Sequence, residues 1–127
     1  MILRELVGDA AHVCGPAATL SDAAKAMTAK GHGSLGVVEG TKLVGLITER
    51  DLVRALAEGH DSETTPVSAV MTREPDVFDP EDDVWEAAEW LAESGYRHLP
   101  VIESGQLLGI VSVRDLLVAL LAEEDDD

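Results

Sequence analysis

Two short segments combine a hydroxyl, a cation and a carboxylate in an order suited to binding a phosphorylated ribose. They are Thr48-Glu49-Arg50-Asp51 and Ser112-Val113-Arg114-Asp115. A hydroxyl residue with a carboxylate three positions later is typical of a helix N-terminus, where the two side chains close a capping box. The same groups could bind a ligand, because helix N-termini bind phosphate and a carboxylate accepts hydrogen bonds from a ribose diol. The pattern alone leaves both interpretations open.

The other chemistry-bearing residues indicate neither catalysis nor a metal site. Arg50 and Arg114 precede the two aspartates, where a guanidinium suits phosphate and where a solvated arginine is the alternative. The histidines and the single cysteine show no zinc-ligand spacing; they are His12, His32, His60, His98 and Cys14. No nucleophile elbow, phosphate-binding loop or metalloprotease motif is present in the sequence. We therefore expect a protein that is not an enzyme.

The charge balance limits the classes of partner that this chain can bind. The 127 residues include 9 basic and 25 acidic ones, and the formal net charge is −16. Such a chain repels nucleic acid and anionic membrane surfaces. Its longest apolar run, residues 116–122, is far shorter than the roughly 20 residues of a membrane span. With no secretory signal pattern and one cysteine, we expect a cytoplasmic location and neither nucleic-acid nor membrane partners.

The sequence repeats itself after 64 residues without a gap. Between residues 13–56 and 77–120, 15 of 44 aligned pairs are identical. Each repeat is too short to bury a sufficient core alone, so the two are expected to share one module. The predicted division is a first repeat at 1–60 with its lead-in, a linker at 61–66, a second repeat at 67–122 and a solvated acidic tail at 123–127.

The elements that position the two segments follow the same order in both repeats. Apolar spacing predicts a helix starting near residue 20 and another near residue 84, capped by Thr19 and Asp83 and ended by Gly31 and Gly95. Each helix is preceded by a short strand at 13–14 or 77–78. It is followed by a hairpin, at 35–47 or 99–111, and a second helix, at 51–58 or 115–123. The order β-α-β-β-α, occurring twice, predicts the α/β (α+β) class.

The second repeat strongly resembles the cystathionine-β-synthase (CBS) domain. The resemblance is carried by GYRHLPVIE at 95–103 and GQLLGIVSVRDL at 105–116. The first repeat matches less fully with GHGSLGVVE at 31–39 and LVGLITERDL at 43–52, and VMT at 70–72 resembles the family's lead-in. The resemblance implies two repeats packed with pseudo-two-fold symmetry, clefts that bind adenine nucleotides, and association into dimers.

The resemblance also implies which residues line each cleft. Cleft A would contain Leu46, Thr48, Arg50, Asp51, Thr72, Asp76, Tyr96 and Arg97. Cleft B would contain Gly8, His12, His32, Gly33, Ile110, Ser112, Arg114 and Asp115. Gly36 stands where the family usually has a proline, which the second repeat keeps as Pro100. Gly33 and Ser34 stand where the second repeat has Arg97 and His98. We expect unequal clefts and favour cleft A, because Arg97 is a cation within an acidic repeat and Asp76 only partly offsets it.

These observations predict a regulatory sensor of an adenosyl ligand. Candidates are AMP, ADP, ATP, NAD and S-adenosylmethionine, with no required cofactor but with magnesium as a companion of a nucleotide. Trp85 and Trp90 flank the inner face of the second repeat's first helix, where they belong either to the edge of the core or to a homodimer contact. A downstream protein would read the signal. The alternative is a protein-interaction scaffold whose clefts bind nothing.

Overall fold

The computed structural model describes residues 1–8 and 12–125 and builds each repeat around a β-hairpin and two helices. The first repeat holds β1 (Val13–Cys14), α1 (Leu20–Lys30), β2 (Ser34–Glu39), β3 (Lys42–Thr48) and α2 (Glu49–Ala57). Then follow β4 (Thr72–Arg73), α3 (Val84–Ser94), β5 (His98–Glu103), β6 (Gln106–Ser112) and α4 (Val113–Asp125). The predicted α/β (α+β) class and the two hairpins are confirmed. None of the helices described here is both long and apolar enough to cross a membrane.

The first helix of each repeat begins and ends where the sequence predicts. Asp22 N donates to Thr19 Oγ1 at 3.1 Å and Thr19 N donates to the Asp22 carboxylate at 3.2 Å, which closes a capping box. Glu86 N donates to the Asp83 carboxylate at 3.2 Å. Gly31 and Gly95 end the helices with φ of 69° and 79°, in the left-handed region that favours glycine.

The contacts divide the chain differently from the repeats. A continuous unit spans His12–Pro75, and a split unit joins Met1–Ala11 to Asp76–Asp127. The segment before the first strand of each repeat, which we call its lead-in, covers residues 1–11 in the first repeat and 67–75 in the second. Each lead-in therefore belongs to the unit that carries the other repeat's hairpin. Backbone pairing between distant residues supports this exchange, because Ile2 bridges to Asp83 and Pro66 bridges to Thr19.

The continuous unit contains a four-stranded sheet in the order β1-β2-β3-β4. The strand β1 runs parallel to β2, and the other neighbours are antiparallel. Its core is formed by α1, the hairpin, α2 and the lead-in; the buried side chains are Leu20, Ala23, Met27, Leu35, Val37, Ile47, Leu52, Ala55 and Val67. The predicted linker at 61–66 packs on α1, since Leu20 N donates to Thr65 O at 3.0 Å and Ser21 N donates to Ser62 O at 2.8 Å.

The split unit contains the β5-β6 hairpin, α3, α4 and the N-terminal lead-in. Its buried side chains are Leu3, Val84, Ala87, Leu91, Leu99, Val101, Val111 and Leu116. The predicted strand at 77–78 is reduced to a single parallel bridge between Phe78 and Val101. Phe78 N and Ile102 N still form hydrogen bonds of 2.9 Å across this bridge, which satisfies the local backbone with one residue of pairing.

Equivalent glycines let each lead-in approach its hairpin. A Cβ added to Gly45 on β3 would lie 2.4 Å from Met71 Sδ, and one added to Gly109 on β6 would lie 2.9 Å from Val7 Cγ1. Residues 7 and 71 are themselves 64 positions apart, as are 45 and 109. In both units, therefore, a side chain of the lead-in packs directly over the glycine in the second strand of the hairpin.

The second helix of each repeat departs from its predicted bounds. The helices α2 and α4 begin at Glu49 and Val113, two residues before the predicted Asp51 and Asp115, because Thr48 and Ser112 are the caps. The helix α2 ends at Ala57 rather than at residue 58. The predicted tail at 123–127 is helical through Asp125, and residues 126–127 lie outside the described part of the chain.

Candidate functional site

The first candidate segment joins β3 to α2 in the continuous unit. Asp51 N donates to Thr48 Oγ1 at 3.2 Å, and Thr48 N donates to Asp51 Oδ2 at 2.9 Å. The capping interpretation is therefore confirmed. The second carboxylate oxygen, Oδ1, lies 3.9 Å from Arg54 Nη1, beyond hydrogen-bond distance, and the Asp51 side chain is only 13% exposed. One oxygen of a sheltered carboxylate thus remains available to a ligand.

The second segment repeats this cap in the split unit. Asp115 N donates to Ser112 Oγ at 3.1 Å, and Ser112 N donates to Asp115 Oδ2 at 2.8 Å. Asp115, however, is exposed. A hydrogen bond from a ligand to Asp115 would compete with bulk water, whereas one to Asp51 would form where less water competes. The two segments are alike in geometry and unlike in environment.

The chain itself occupies part of each helix N-terminus. Glu49 N donates to Gly33 O and Val113 N donates to Arg97 O, each at 3.0 Å. With Asp51 N held by Thr48, two amides of the first turn of α2 are already paired. These bonds leave fewer unpaired amides for a phosphate at this helix N-terminus. The Arg50 guanidinium at the same place is exposed.

The continuous unit brings five of the predicted cleft A residues together. Thr72 on β4 is the register partner of Leu46 on β3, and Leu46 lies on the same strand face as Thr48 because side chains alternate. Leu46 is 6% exposed. The remaining three residues, Asp76, Tyr96 and Arg97, belong to the split unit and are all exposed. Their contribution to the same ligand stays a prediction.

The predicted cleft B residues are divided in the same way. The continuous unit holds His12, His32 and Gly33, and the split unit holds Gly8, Ile110, Ser112, Arg114 and Asp115. The imidazole rings of His12 and His32 pack against each other in a tilted arrangement, with centroids 3.9 Å apart and an interplanar angle of 33°. Burial lowers the pKa of His12, and the nearby His32 and Lys30 lower it further.

A second ring cluster lies in the split unit. Trp90 stacks on Tyr96 with centroids 5.7 Å apart and packs edge-on against Phe78 at 5.2 Å. Trp85 is 56% exposed. Trp90 is therefore engaged within its own unit, which favours the core-edge interpretation for this residue. Neither ring cluster was predicted, although the repeat alignment, which pairs His32 with Tyr96, signals an aromatic ring at this position.

The described residues offer little to a metal ion. Among residues 1–8 and 12–125, no three histidine, cysteine or acidic side chains form a group that could hold one. Burial raises the pKa of the Cys14 thiol, which disfavours the thiolate that a metal or a nucleophilic mechanism requires.

Comparison with known proteins identifies the family. The family model of the CBS domain matches residues 3–58 and 67–122. The chain belongs to the CBS-domain family, and the predicted pair of CBS domains is confirmed. Proteins of this family are generally regulatory or signalling modules, and the match indicates no catalytic family.

Individual relatives and solved structures agree. An uncharacterized 17.7 kDa protein of Acidianus ambivalens is 42% identical over 112 residues, which cover 87% of this chain and 67% of that protein. A CBS-domain-containing protein of Agrobacterium tumefaciens superposes with a TM-score of 0.88 at 29% identity, covering 94% of this chain and 99% of that one. A CBS domain protein from Pyrobaculum aerophilum, complexed with AMP, gives 0.85 at 24% identity, with 96% and 99% covered. The chain spans 56% to 78% of three curated relatives.

Proposed function

We propose that this chain is a regulatory module that binds an adenine nucleotide or a related adenosyl ligand and carries out no chemistry of its own. The observation that carries the proposal is the sheltered Asp51 carboxylate, which uses one oxygen for its cap and keeps the other beyond hydrogen-bond distance of Arg54. A ribose diol is a suitable donor pair for such an oxygen.

Arg50 and Thr72 support the same proposal. Arg50 precedes Asp51 and is exposed, so its guanidinium can approach a phosphate. Thr72 is brought beside Leu46 by strand pairing, which gives the carboxylate a neighbouring hydroxyl and an apolar side chain. The ligand class is our inference from the resemblance and from the AMP carried by the Pyrobaculum protein, which shares the fold.

Thermal unfolding of the nucleotide-stripped protein tests this function. AMP, ADP, ATP, NAD and S-adenosylmethionine are each added with and without magnesium. A ligand at about 100 times its Kd adds about 2.7 kcal/mol to the free energy of unfolding and raises Tm by several degrees. A selective rise supports a sensor and ranks the ligands. Unchanged Tm with every ligand, in a folded sample, contradicts it.

Matched variants then test which carboxylate binds. In Asp51→Asn the amide oxygen still accepts from Thr48 N, so the cap is kept while the charge is lost. We expect the Kd of the selected ligand to rise about 10- to 100-fold, as for a lost charged hydrogen bond. Asp115→Asn is the control, with little change expected because Asp115 is exposed. Equal losses in the two variants contradict the preference for cleft A.

Arg97→Ala tests the part of cleft A that lies in the split unit. We expect ligands with a phosphate to bind more weakly, while adenosine itself binds unchanged, because a guanidinium acts on the phosphate. Loss of adenosine binding as well would assign the Arg97 side chain a structural role, since the backbone bond from Val113 N to the carbonyl of residue 97 is kept in this variant. An unchanged Kd for every ligand would remove Arg97 from the site.

A binding scaffold without a ligand is the second candidate function. Gly33 and Ser34 stand where the second repeat has Arg97 and His98, so the first repeat lacks that basic pair. Exposed apolar side chains also line one helix, as expected of an association surface; on α4 they are Leu117, Val118 and Leu121. Under this function the partner would be a protein, and no adenosyl ligand would raise Tm.

Homodimerisation is part of both candidate functions and is tested separately. The exposed Trp85 is the side chain that we propose for the contact on α3. Sedimentation velocity of the wild type should show a dimer, and Trp85→Ser, which installs the residue found at position 21, should shift it toward monomer. A monomeric wild type, or a variant that remains dimeric, contradicts this contact.

A further inference from the structure

We propose that His12 and His32, together with Lys30, form a proton-gated contact for a phosphoryl group in the continuous unit. The inference rests on the proposed function and extends it from Asp51 and Arg50, which belong to the favoured cleft A, to the two histidines predicted for cleft B, because it assigns them the charged end of a ligand. It commits to an oxyanion as the occupant.

The backbone holds the two histidines in position. Gly36 N donates to His12 O at 3.0 Å, and His32 N donates to Met27 O at 3.0 Å. The first bond ties His12 to β2, and the second ties His32 to the last turns of α1. With the ring centroids 3.9 Å apart, the stack is built by the fold before any ligand arrives.

Lys30 lies near the histidine pair. Besides burial, the nearby His32 and Lys30 lower the pKa of His12. The start of α2 also meets this segment, since Glu49, whose side chain is exposed, donates its backbone N–H to Gly33 O at 3.0 Å. In a chain of 9 basic and 25 acidic residues, three neighbouring cation-capable groups are an exception.

Protonation of such a stack is costly unless an anion joins it. Two imidazolium rings at this separation repel each other, and Lys30 adds to the repulsion. An oxyanion reverses the balance, because each charged ring then has an opposite charge beside it. Binding therefore takes up protons, and by linkage the affinity for the anion rises as the pH falls through the range in which histidine titrates.

A transition-metal ion is a weaker candidate for the same place. Two imidazoles supply only part of a coordination shell, and the described residues provide no third histidine, cysteine or carboxylate in a suitable group. Lys30 would also repel a metal cation. The observations favour an anion.

Sulfate is the probe for the test, because its charge is constant between pH 5 and 8, unlike that of a phosphate monoester. The four histidines give few imidazole Cε1–H signals, which can be followed by NMR across this pH range with and without sulfate. We expect sulfate to shift the Cε1–H signals of His12 and His32 and to leave that of His60 unmoved. We also expect its affinity to be about tenfold higher at pH 6 than at pH 8, as for uptake of one proton.

Two variants sharpen the test. His32→Phe keeps a ring for the stack and removes its titration, and the equivalent Tyr96 shows that an aromatic residue is compatible with this position. Lys30→Gln changes only an exposed residue at the end of α1. His32→Phe should weaken sulfate binding at pH 6 and flatten its pH dependence. Lys30→Gln should weaken binding across the whole range, because the lysine ammonium does not titrate between pH 5 and 8. The control His60→Gln should do neither. Histidine signals that sulfate leaves unmoved, or pH dependence that survives in His32→Phe, would overturn the inference.

The outcome is distinguishable from failure of the proposed function. AMP that raises Tm at pH 8 while sulfate leaves the histidines unaffected would keep the adenosyl site and remove the proton-gated contact. Sulfate that titrates both histidines while no adenosyl ligand binds would keep the contact and remove the adenosyl site.

Discussion

His32 in the continuous unit and Tyr96 in the split unit occupy equivalent positions of the repeat. Their backbones join the same two elements, but their rings contact different residues. His32 packs at a tilt against His12, which comes from the segment before β1, whereas Tyr96 stacks on Trp90, which comes from α3. Both residues follow a glycine that ends a helix and precede a hairpin. The repeat therefore keeps its framework and changes the side chains at the hairpin entrance, from a pair of imidazole rings to an aromatic stack.

The framework itself is reproduced closely. In the first hairpin Ser34 pairs with Thr48, in the second His98 pairs with Ser112, and both registers shift at the equivalent position, Val37/Val38 and Val101/Ile102. The capping boxes at Asp51 and Asp115 also match. Because the backbone is so alike, differences between the units can be assigned to side chains, and each variant below has a counterpart 64 residues away.

Substitution of the packed glycines should give the largest effect and the clearest inequality. An added Cβ at Gly109 meets the branched Val7 at 2.9 and 3.0 Å, with its backbone behind it at 3.7 Å. At Gly45 it meets only the flexible side chain of Met71. We expect Gly109→Ala to lower the free energy of unfolding by about 2 kcal/mol and Gly45→Ala by about 1 kcal/mol, measured by urea denaturation.

Gly15→Ala is the control, because nothing lies within 4 Å of its added Cβ and its φ is not positive. Val7→Ala should partly restore the stability of Gly109→Ala, since it removes the branch that clashes. A double variant no better than Gly109→Ala alone would show that the backbone, and not the Val7 side chain, limits the approach.

Much of this framework could be predicted from the sequence. The spacing of Leu20, Ala23 and Met27 identified the buried face of α1, and Gly31 identified its end. The hydroxyl-x-x-carboxylate pattern at Thr48 and Asp51 identified a cap. These features are local, so that a few neighbouring residues determine them. The predicted start of α2 lies two residues too late, because Asp51 is the third residue of the helix and not its first.

The exchange of lead-ins and the two ring clusters could not be predicted in the same way. Whether Val7 covers Gly45 or Gly109 depends on contacts between residues far apart in the chain, and the repeat makes both glycines equally suitable. The stack of His12 on His32 joins residues 20 positions apart whose spacing carries no helical or strand period. Such contacts follow from tertiary packing, for which a single sequence supplies no local signal.

Removal of the two hydroxyl caps should have the next largest effect and should be equal in the two units. Thr48 Oγ1 and Ser112 Oγ accept from Asp51 N and Asp115 N at 3.2 and 3.1 Å. Thr48→Ala and Ser112→Ala should each cost about 1 kcal/mol in urea denaturation. Both tryptophans lie in the split unit, so circular dichroism should be followed beside fluorescence. A much larger loss in Thr48→Ala would mean that the shelter around Asp51 adds to the cap.

The histidine pair should make the free energy of unfolding of the continuous unit depend on pH. The pKa of His12 lies below its ordinary value of 6.5, mainly through burial, so the unfolded chain binds more protons than the folded one as the pH falls. The folded state is therefore fully favoured above pH 6.5, and this contribution is lost as the pH drops from there through the lowered pKa.

This dependence is measured by comparing His12→Phe with the wild type. The free energy of unfolding should fall less steeply between pH 7 and pH 5 in the variant, because the group whose pKa is lowered in the folded state has been removed. His60→Gln, next to Glu58 at the end of α2, is the control. Parallel pH profiles for His12→Phe and the wild type would show that the stack accepts a proton without cost.

The smallest effect is expected at Arg4, whose clamp exists only in the split unit. Arg4 donates to Glu81 at 2.7 and 2.9 Å and forms an ion pair with Glu103. These bonds connect the N-terminal lead-in to the segment before α3 and to the β5-β6 hairpin. The equivalent positions in the continuous unit are Ser68, Ala17 and Glu39, which cannot form the clamp. Since all three charged side chains are largely exposed, Arg4→Ala should lower Tm only slightly.

The pH profile distinguishes this clamp from simple packing. The hydrogen bond from Arg4 holds the pKa of Glu103 below its ordinary value of 4.5, so the clamp contributes stability above that pH and loses it as the pH falls through the lowered pKa. Arg4→Ala should therefore be less stable than the wild type at pH 7 and equal to it once Glu103 is protonated. High salt should also reduce the difference. A deficit that persists at low pH would mean that Arg4 stabilises the split unit through its aliphatic stem, as Val7 does, and not through its charge.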